Sequence, residues 1–178
     1  LQFTAQQLQT EGWQVSVAAC NSQGIIDATE VARHLLDNTR MVSITHASCD
    51  LGTVQPIEEI AQLCMDRNIV FHSDAAQTVG KIPCLVQHKF YAPKGIGALY
   101  LRLGVPLESI GFGEWFESGL RPGTQNVSAI VALGTAAKLA QSRLGSSFDR
   151  ISTQRDRFHT KLENITGKRF PILGKDSN

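Results

Sequence analysis

The stretch Ile69-Val70-Phe71-His72-Ser73-Asp74-Ala75-Ala76-Gln77 decides how this chain is read. Ile69 to His72 is a short run of strand length, and an acid follows it directly at Asp74. Working back, Pro56 reads as a first-turn proline. After it, Ile57, Ile60, Ala61 and Cys64 recur at helical spacing and stop near Arg67-Asn68. Met41 to Thr45 is an apolar run fit for a buried strand. Earlier still, Asp27 with Glu30 three residues on resembles a capping box with an acidic N-cap. The helix it opens runs to about Leu36, with Val31, Leu35 and Leu36 on one face. Val15 to Ala19 and Gly97 to Leu101 read as two further short strands. Strand and helix therefore alternate, which predicts an α/β fold with a mainly parallel sheet flanked by helices.

Beyond this region a long helix is expected from Asn126 to Leu144, burying Ile130, Val131, Leu133, Ala137 and Ala140. Gly145-Ser146-Ser147 then separates it from a second amphipathic helix carrying Phe148, Ile151, Phe158, Leu162 and Ile165. The chain so divides into residues 1–145, a partial large α/β domain, and 146–178, a helix leading into a smaller domain. Asn178 comes too soon to complete that second domain.

A chain of 178 residues is enough for one α/β domain with a substantial core. Its 17 basic and 16 acidic residues leave a net charge of +1, which gives no reason to expect nucleic acid or an anionic membrane as a partner. Hydrophobic residues make up 42% and are too evenly spread for a membrane span. Cys20, Cys49, Cys64 and Cys84 form no C-x-x-C pair and lie at no zinc-ligand spacing from a histidine, so no metal site is expected. Reduced thiols in an intracellular compartment are the default, the cytosol first and the mitochondrion second. The first residue is Leu1 and not Met, so the chain reads as a fragment or a processed product.

In a parallel sheet, ligand-contacting residues collect at the carboxyl ends of strands, where Asp74 stands. Soon after it come His88-Lys89 and the glycine-rich run Tyr91-Ala92-Pro93-Lys94-Gly95-Ile96-Gly97. An acid and a lysine in this arrangement suit pyridoxal 5'-phosphate (PLP). The lysine attacks the cofactor aldehyde, and the acid keeps a proton on the pyridine nitrogen so that the ring accepts electrons. That acid makes a charge-assisted hydrogen bond. Gln77, three residues on, reaches the phenolic oxygen of the ring if a helical turn begins there. Taken alone, Asp74 is more often a helix cap and a lone lysine more often a solvated surface residue. The weight lies in the run as a whole.

Three segments together carry a resemblance. They are Phe71-His72-Ser73-Asp74-Ala75-Ala76-Gln77-Thr78-Val79-Gly80-Lys81, the run from His88 to Arg102, and Leu120-Arg121-Pro122-Gly123-Thr124-Gln125-Asn126. They resemble the class V aminotransferase family, and within it the cysteine desulfurase and selenocysteine lyase (NifS-like) branch. The resemblance spans roughly Gly12 to Ala140. It implies a partial PLP-transferase large domain of fold type I, a homodimer, and removal of sulfur or selenium from L-cysteine or L-selenocysteine to leave L-alanine. It further implies that Lys89 binds the cofactor aldehyde, with His88 as its neighbour at the cofactor. Asp74 would pair with the pyridine nitrogen, and Gln77 with the phenolic oxygen. Thr124 matches the position that reaches the cofactor phosphate of the other subunit. The wording around Thr124 leans toward the selenocysteine lyase subgroup. The loop His46-Ala47-Ser48-Cys49-Asp50-Leu51-Gly52 matches a family loop whose first Asn lies by the cofactor, and Ser48 takes the place of that Asn. A hydroxyl still donates one hydrogen bond there, over a shorter reach.

The chain also departs from the family pattern. About one strand and its connection are missing between the acid and the lysine, because Gly80 to Cys84 runs almost straight into Leu85 to Lys89. Val86 stands where the family has a phosphate-binding Ser. The family's amino-terminal phosphate-cradling turn and ring-stacking aromatic or His have no counterpart, nor do its substrate-binding Arg and sulfur-accepting Cys. Removing a central strand orphans backbone groups at about 1–3 kcal/mol each, against a domain stability of roughly 5–15 kcal/mol. Two readings follow. The chain belongs to a PLP-dependent C–S or C–Se lyase, impaired as it stands. Alternatively it is a non-catalytic truncated isoform or degenerate copy that dimerises with a full-length homologue. A transamination of a small amino or keto acid is a third use of the same scaffold. Cys49 is the one thiol placed near the cofactor loop, and it reads first as an ordinary partly buried thiol.

Overall fold

The computed structural model describes residues 2–82, 92–109 and 111–173. His88, Lys89, Cys84 and Val86 lie outside the described residues. The elements are α1 (Gln2–Thr10), α2 (Ala28–His34), β1 (Met41–Thr45), α3 (Ile57–Asp66), β2 (Val70–Asp74) and α4 (Val127–Thr166), with a 3₁₀ turn at Glu117–Gly119. The chain forms two compact units, Leu1–Gln77 with Phe158–Asn178, and Thr78–Arg157.

The first unit contains the parallel α/β arrangement. Strands β1 and β2 pair in parallel with Met41 opposite Val70 and Thr45 opposite Asp74. Parallel neighbours need a crossover connection, and α3 supplies it. The side chains of Val42, Ile44 and Phe71 alternate onto one face of the pair. There they meet Val31 of α2 and Ile60 and Cys64 of α3 in a single apolar cluster with Ile69. Ile60 and Cys64 are fully buried, which makes this cluster the centre of the unit. Ala18 and Ile26 also pack against it, from the segment before α2.

Local chemistry explains the element ends. Asp27 caps α2, its carboxylate accepting from the Thr29 backbone N–H at 2.7 Å and from the Thr29 hydroxyl at 2.7 Å. These bonds hold its carboxyl below the usual carboxylate range. The expected capping box does not close. Glu30 turns instead to Arg33 at 2.7 Å and His34 at 3.2 Å. Pro56 stands one residue before α3, at its N-cap. Asn68 ends α3 with a left-handed φ of 54°, a conformation its short polar side chain tolerates. The following Ile69 N–H returns to the Cys64 carbonyl at 2.8 Å, which turns the chain into β2.

Two expected strands are absent. Val15 to Ala19 and Gly97 to Leu101 are extended or irregular, with no ladder partner among the described residues. Val17 is 81% exposed, and Leu99 and Tyr100 are 63% exposed. A β-capable sequence becomes a strand only where a neighbouring strand takes up its backbone hydrogen bonds in a ladder. The expected break at Gly145-Ser146-Ser147 is also absent, since α4 continues through it to Thr166. One interior Gly costs about 1 kcal/mol relative to Ala, too little to stop a helix with good residues on both sides. The expected buried face of this helix is covered in part, with Ala137 and Ala140 half-buried. Leu133 is buried, whereas Ile130 and Val131 are exposed. Among the described residues no helix is long and apolar enough to cross a membrane.

Candidate functional site

The carboxyl ends of β1 and β2 carry the site of the first unit. The ladder extends one step past the strands, because the His46 N–H donates to the Asp74 carbonyl at 2.8 Å. The chain after β1 therefore stays beside Asp74 as it enters the loop from His46 to Gln55. An antiparallel bridge between Ala47 and Val54 closes that loop at its base. The Gln55 N–H donates to the His46 carbonyl at 2.8 Å, and the Ser48 N–H to the Thr53 carbonyl at 3.0 Å.

Ser48 organises the tip. Its hydroxyl oxygen accepts from the Leu51 N–H at 3.1 Å and the Asp50 N–H at 3.3 Å. Its carbonyl accepts from the Gly52 N–H at 3.1 Å. With the oxygen serving as acceptor, the hydroxyl proton is what Ser48 can offer a ligand. Gly52, with φ +74°, makes the reversal that brings these donors round. Cys49 is exposed, and its Sγ lies 3.4 Å from Asp50 Oδ1.

Asp74 ends β2 half-buried. Its Oδ1 accepts from the Ala76 N–H at 2.9 Å, a tight turn closed by the side chain. No helix begins there; residues 76–81 form turns, with the Thr78 carbonyl accepting from the Lys81 N–H at 3.0 Å and the Ile82 N–H at 2.9 Å. The helical turn expected to aim Gln77 is thus a non-helical one. Gln77 itself is half-buried within it. Two positions before Asp74 and on the same face of β2, His72 Nδ1 lies 2.8 Å from the Ser43 hydroxyl of β1.

A buried polar set lies at this end of the unit, beside its apolar cluster. His46, Thr53 and Gln55 are all at least nine-tenths buried. Burial pushes the His46 imidazole below its usual range, and Glu58 opposes the shift. Thr53 and Gln55 are not evident as site residues in the sequence. Their signal was two polar residues spaced by one in a short loop between a strand and a helix, a weak pattern without the partner turn. Ser73 Oγ is buried with no hydrogen-bond partner among the described residues. Its carbon neighbour in the ladder, Ile44, belongs to the core.

The residues present fit PLP in kind. Asp74 offers an acceptor for a ring N–H at a strand end, and Ser48 a hydroxyl donor on the adjoining loop. The structure brings Ser48, Asp74 and Gln77 to one end of one unit. Thr124 belongs to the other unit, exposed and two residues before Asn126. Asn126 caps α4, its side-chain oxygen accepting from the Ala129 N–H at 3.2 Å. Gly123, with φ +99°, sets the turn that displays Thr124. His88 and Lys89 are outside the described residues.

Comparison with known proteins identifies the fold and the family. The profile of the family described as Aminotransferase class-V matches residues 2–176. A cysteine desulfurase IscS of Histophilus somni (strain 2336) is 38% identical over 175 residues, covering 91% of this chain and 43% of the relative. A cysteine desulfurase of Nostoc sp. is 41% identical over 167 residues, covering 88% of this chain and 42% of the relative. The chain thus spans less than half the length of the curated relatives it matches. The 175 aligned positions also exceed the part of this chain that they cover, so the Histophilus relative holds residues with no counterpart here. Among solved structures, a NifS-like protein superposes with a TM-score of 0.87 at 32% identity, over 92% of this chain and 48% of that one. SspA in complex with cysteine superposes with a TM-score of 0.72 at 37% identity, over 77% of this chain and 43% of that one. The fold is a partial NifS-like PLP-transferase α/β fold, and the chain belongs to the class V aminotransferase family.

Proposed function

We propose that this chain carries part of the cofactor site of a PLP-dependent enzyme that removes sulfur or selenium from L-cysteine or L-selenocysteine and leaves L-alanine. The family is PLP-dependent, and the matched relatives are named cysteine desulfurases. The observation that carries the reading is Asp74 at the carboxyl end of β2, tied through His46 to the Ser48 loop. When bound, PLP supplies a ring that draws electrons from the substrate's α-carbon and so loosens its bonds.

The chain's own residues bind and orient. Asp74 accepts from the pyridine N–H, and its charge keeps that proton in place. Its turn to Ala76 fixes the carboxylate before any ligand arrives. Gln77 and the Ser48 hydroxyl serve as donors to the ring side, and His88 is the neighbour of Lys89 in the sequence at the cofactor. Lys89 provides the amine that holds the aldehyde carbon. Thr124 serves the phosphate of a second subunit, so a homodimer completes each site. Residues 1–145 form the cofactor-binding part, and 146–178 lead toward a small domain.

Purified chain mixed with PLP is expected to show a visible absorption band that Lys89→Ala lacks. Alanine release is expected from cysteine or selenocysteine in preference to cysteine sulfinate. A wild-type chain that shows no band and releases no alanine would overturn the proposal.

A second reading is supported by the residues of the relative that have no counterpart here and by Ser48 and Val86 standing in for family Asn and Ser. In it the chain is non-catalytic and pairs with a full-length homologue. Co-purification with such a homologue, without alanine release by this chain alone, would favour it.

A further inference from the structure

We infer that Gln55 is a positioning residue that fixes the Ser48 loop and the end of β2 for the cofactor by anchoring both to the turn of residues 21–25. The inference rests on the PLP reading above and adds a residue to it. Gln55 is only 9% exposed, and its side chain holds two backbone groups at once. Its Oε1 accepts from the Ile26 N–H at 2.8 Å, and its Nε2 donates to the Gly24 carbonyl at 2.8 Å. Its own N–H donates to the His46 carbonyl at 2.8 Å, and the His46 N–H donates to the Asp74 carbonyl at 2.8 Å. A continuous series of short bonds therefore runs from the turn, through Gln55 and His46, to the candidate acid.

A second contact joins the same turn to the same loop. The Thr53 hydroxyl donates to the Gly24 carbonyl at 3.3 Å, and the Thr53 carbonyl accepts the Ser48 N–H at 3.0 Å. Gly24 has φ +75°, and a Cβ there would stand 2.6 Å from Leu51 Cδ1. Leu51 is the residue whose N–H donates to Ser48 Oγ. The positive φ of Gly24 favours glycine in the turn, and the end of the Leu51 side chain lies against it.

The need for such an anchor follows from geometry. Ser48 has one proton to donate, and hydrogen bonds weaken steeply as they bend. A site must be held within about 0.5 Å to keep that bond. The loop's own bonds shape its tip and close its base, and the side chains of Thr53 and Gln55 tie that base to the turn outside it. A buried amide where an apolar side chain of similar volume would fill the space is explained by the two backbone groups it satisfies.

The test uses the whole chain with Gln55→Met, which loses both side-chain bonds, and Gln55→Glu, which keeps the acceptor for Ile26 and loses the donor to Gly24. Amide hydrogen exchange is followed at Ile26, His46 and Leu51. PLP is titrated by absorbance, and the pH midpoint of the bound chromophore is recorded. In the wild type the three amides are expected to open in one event. In Gln55→Met they are expected to exchange at least about tenfold faster, with Ile60 and Cys64 unchanged. PLP is expected to bind about tenfold more weakly, on the scale seen when supporting hydrogen bonds around a site are removed. The pH midpoint is expected to move, and Gln55→Glu to fall between. Unchanged exchange at His46 and Leu51, or faster exchange with PLP affinity and pH midpoint intact, overturns the inference. If Gln55→Met does not fold, the wild type still decides, because independent opening of Ile26 and Leu51 overturns the anchor. A wild type that takes up no PLP overturns the functional proposal, while the exchange data judge the anchor separately.

Discussion

Replacing Asp74 separates its structural role from its role toward the cofactor. Asp74→Asn keeps a side-chain oxygen where Oδ1 accepts the Ala76 N–H at 2.9 Å, so the turn survives. It removes the negative charge. Charge-assisted hydrogen bonds contribute about 1.5–3 kcal/mol, against about 0.5–1.5 kcal/mol for neutral ones. The loss toward a pyridine N–H is then about 1–1.5 kcal/mol, or roughly five- to tenfold in affinity. Asp74→Ala removes the turn bond as well. It should cost about 1 kcal/mol more in stability, and it leaves no acceptor for the ring. The assay is a thermal unfolding curve without PLP and an absorbance titration with it. Asp74→Asn should unfold with the wild type and bind PLP about tenfold more weakly. Asp74→Ala should unfold earlier and bind more weakly still. If Asp74→Asn binds PLP as the wild type does, the acid does not hold the ring and the reasoning fails.

Further outcomes follow from the same structure. Ile60→Ala empties a fully buried position of the α2–α3–sheet cluster and should cost about 2–5 kcal/mol; urea unfolding measures it, and a loss under about 1 kcal/mol would show that this cluster is not the core. Burial holds the His46 pKa below its unfolded value of about 6.5. The unfolded chain therefore binds the proton more readily, and His46 contributes stability that is present above that pH and lost as pH falls toward the folded pKa. Unfolding midpoints measured across that range should drop on acidification, less so in His46→Phe. Burial pushes the Cys64 thiol up, whereas Cys20 and Cys49 are exposed. Alkylation at neutral pH should label Cys20 and Cys49 well before Cys64, as peptide mass analysis would show.

Where a residue's partner is near in sequence or is any apolar surface, the sequence announced it. The runs Met41–Thr45 and Ile69–His72 became paired strands because their neighbours bury one face of each. Asp27 capped α2 because its donor is two residues away. Readings that needed a distant or specific partner failed. Val15–Ala19 and Gly97–Leu101 have strand composition, yet a strand is a pairing and no pattern within the segment supplies the other half. Gly145 carried the opposite error, a weak helix breaker within a helix whose flanks outweigh it. Of the candidate site, the strand-end position of Asp74 and the loop position of Ser48 are legible in the sequence. Gln55 is not, because its two partners, Gly24 and Ile26, lie about thirty residues away and are backbone groups that any sequence could present.

Asp74 and Lys89 are proposed to serve one cofactor. Reducing the PLP-treated chain with borohydride and mapping its peptides by mass tests this most directly. A pyridoxyl group is expected on Lys89 in the wild type, with less in Asp74→Asn at limiting PLP. Label spread over surface lysines such as Lys94 and Lys138, with Lys89 unmodified, would contradict it.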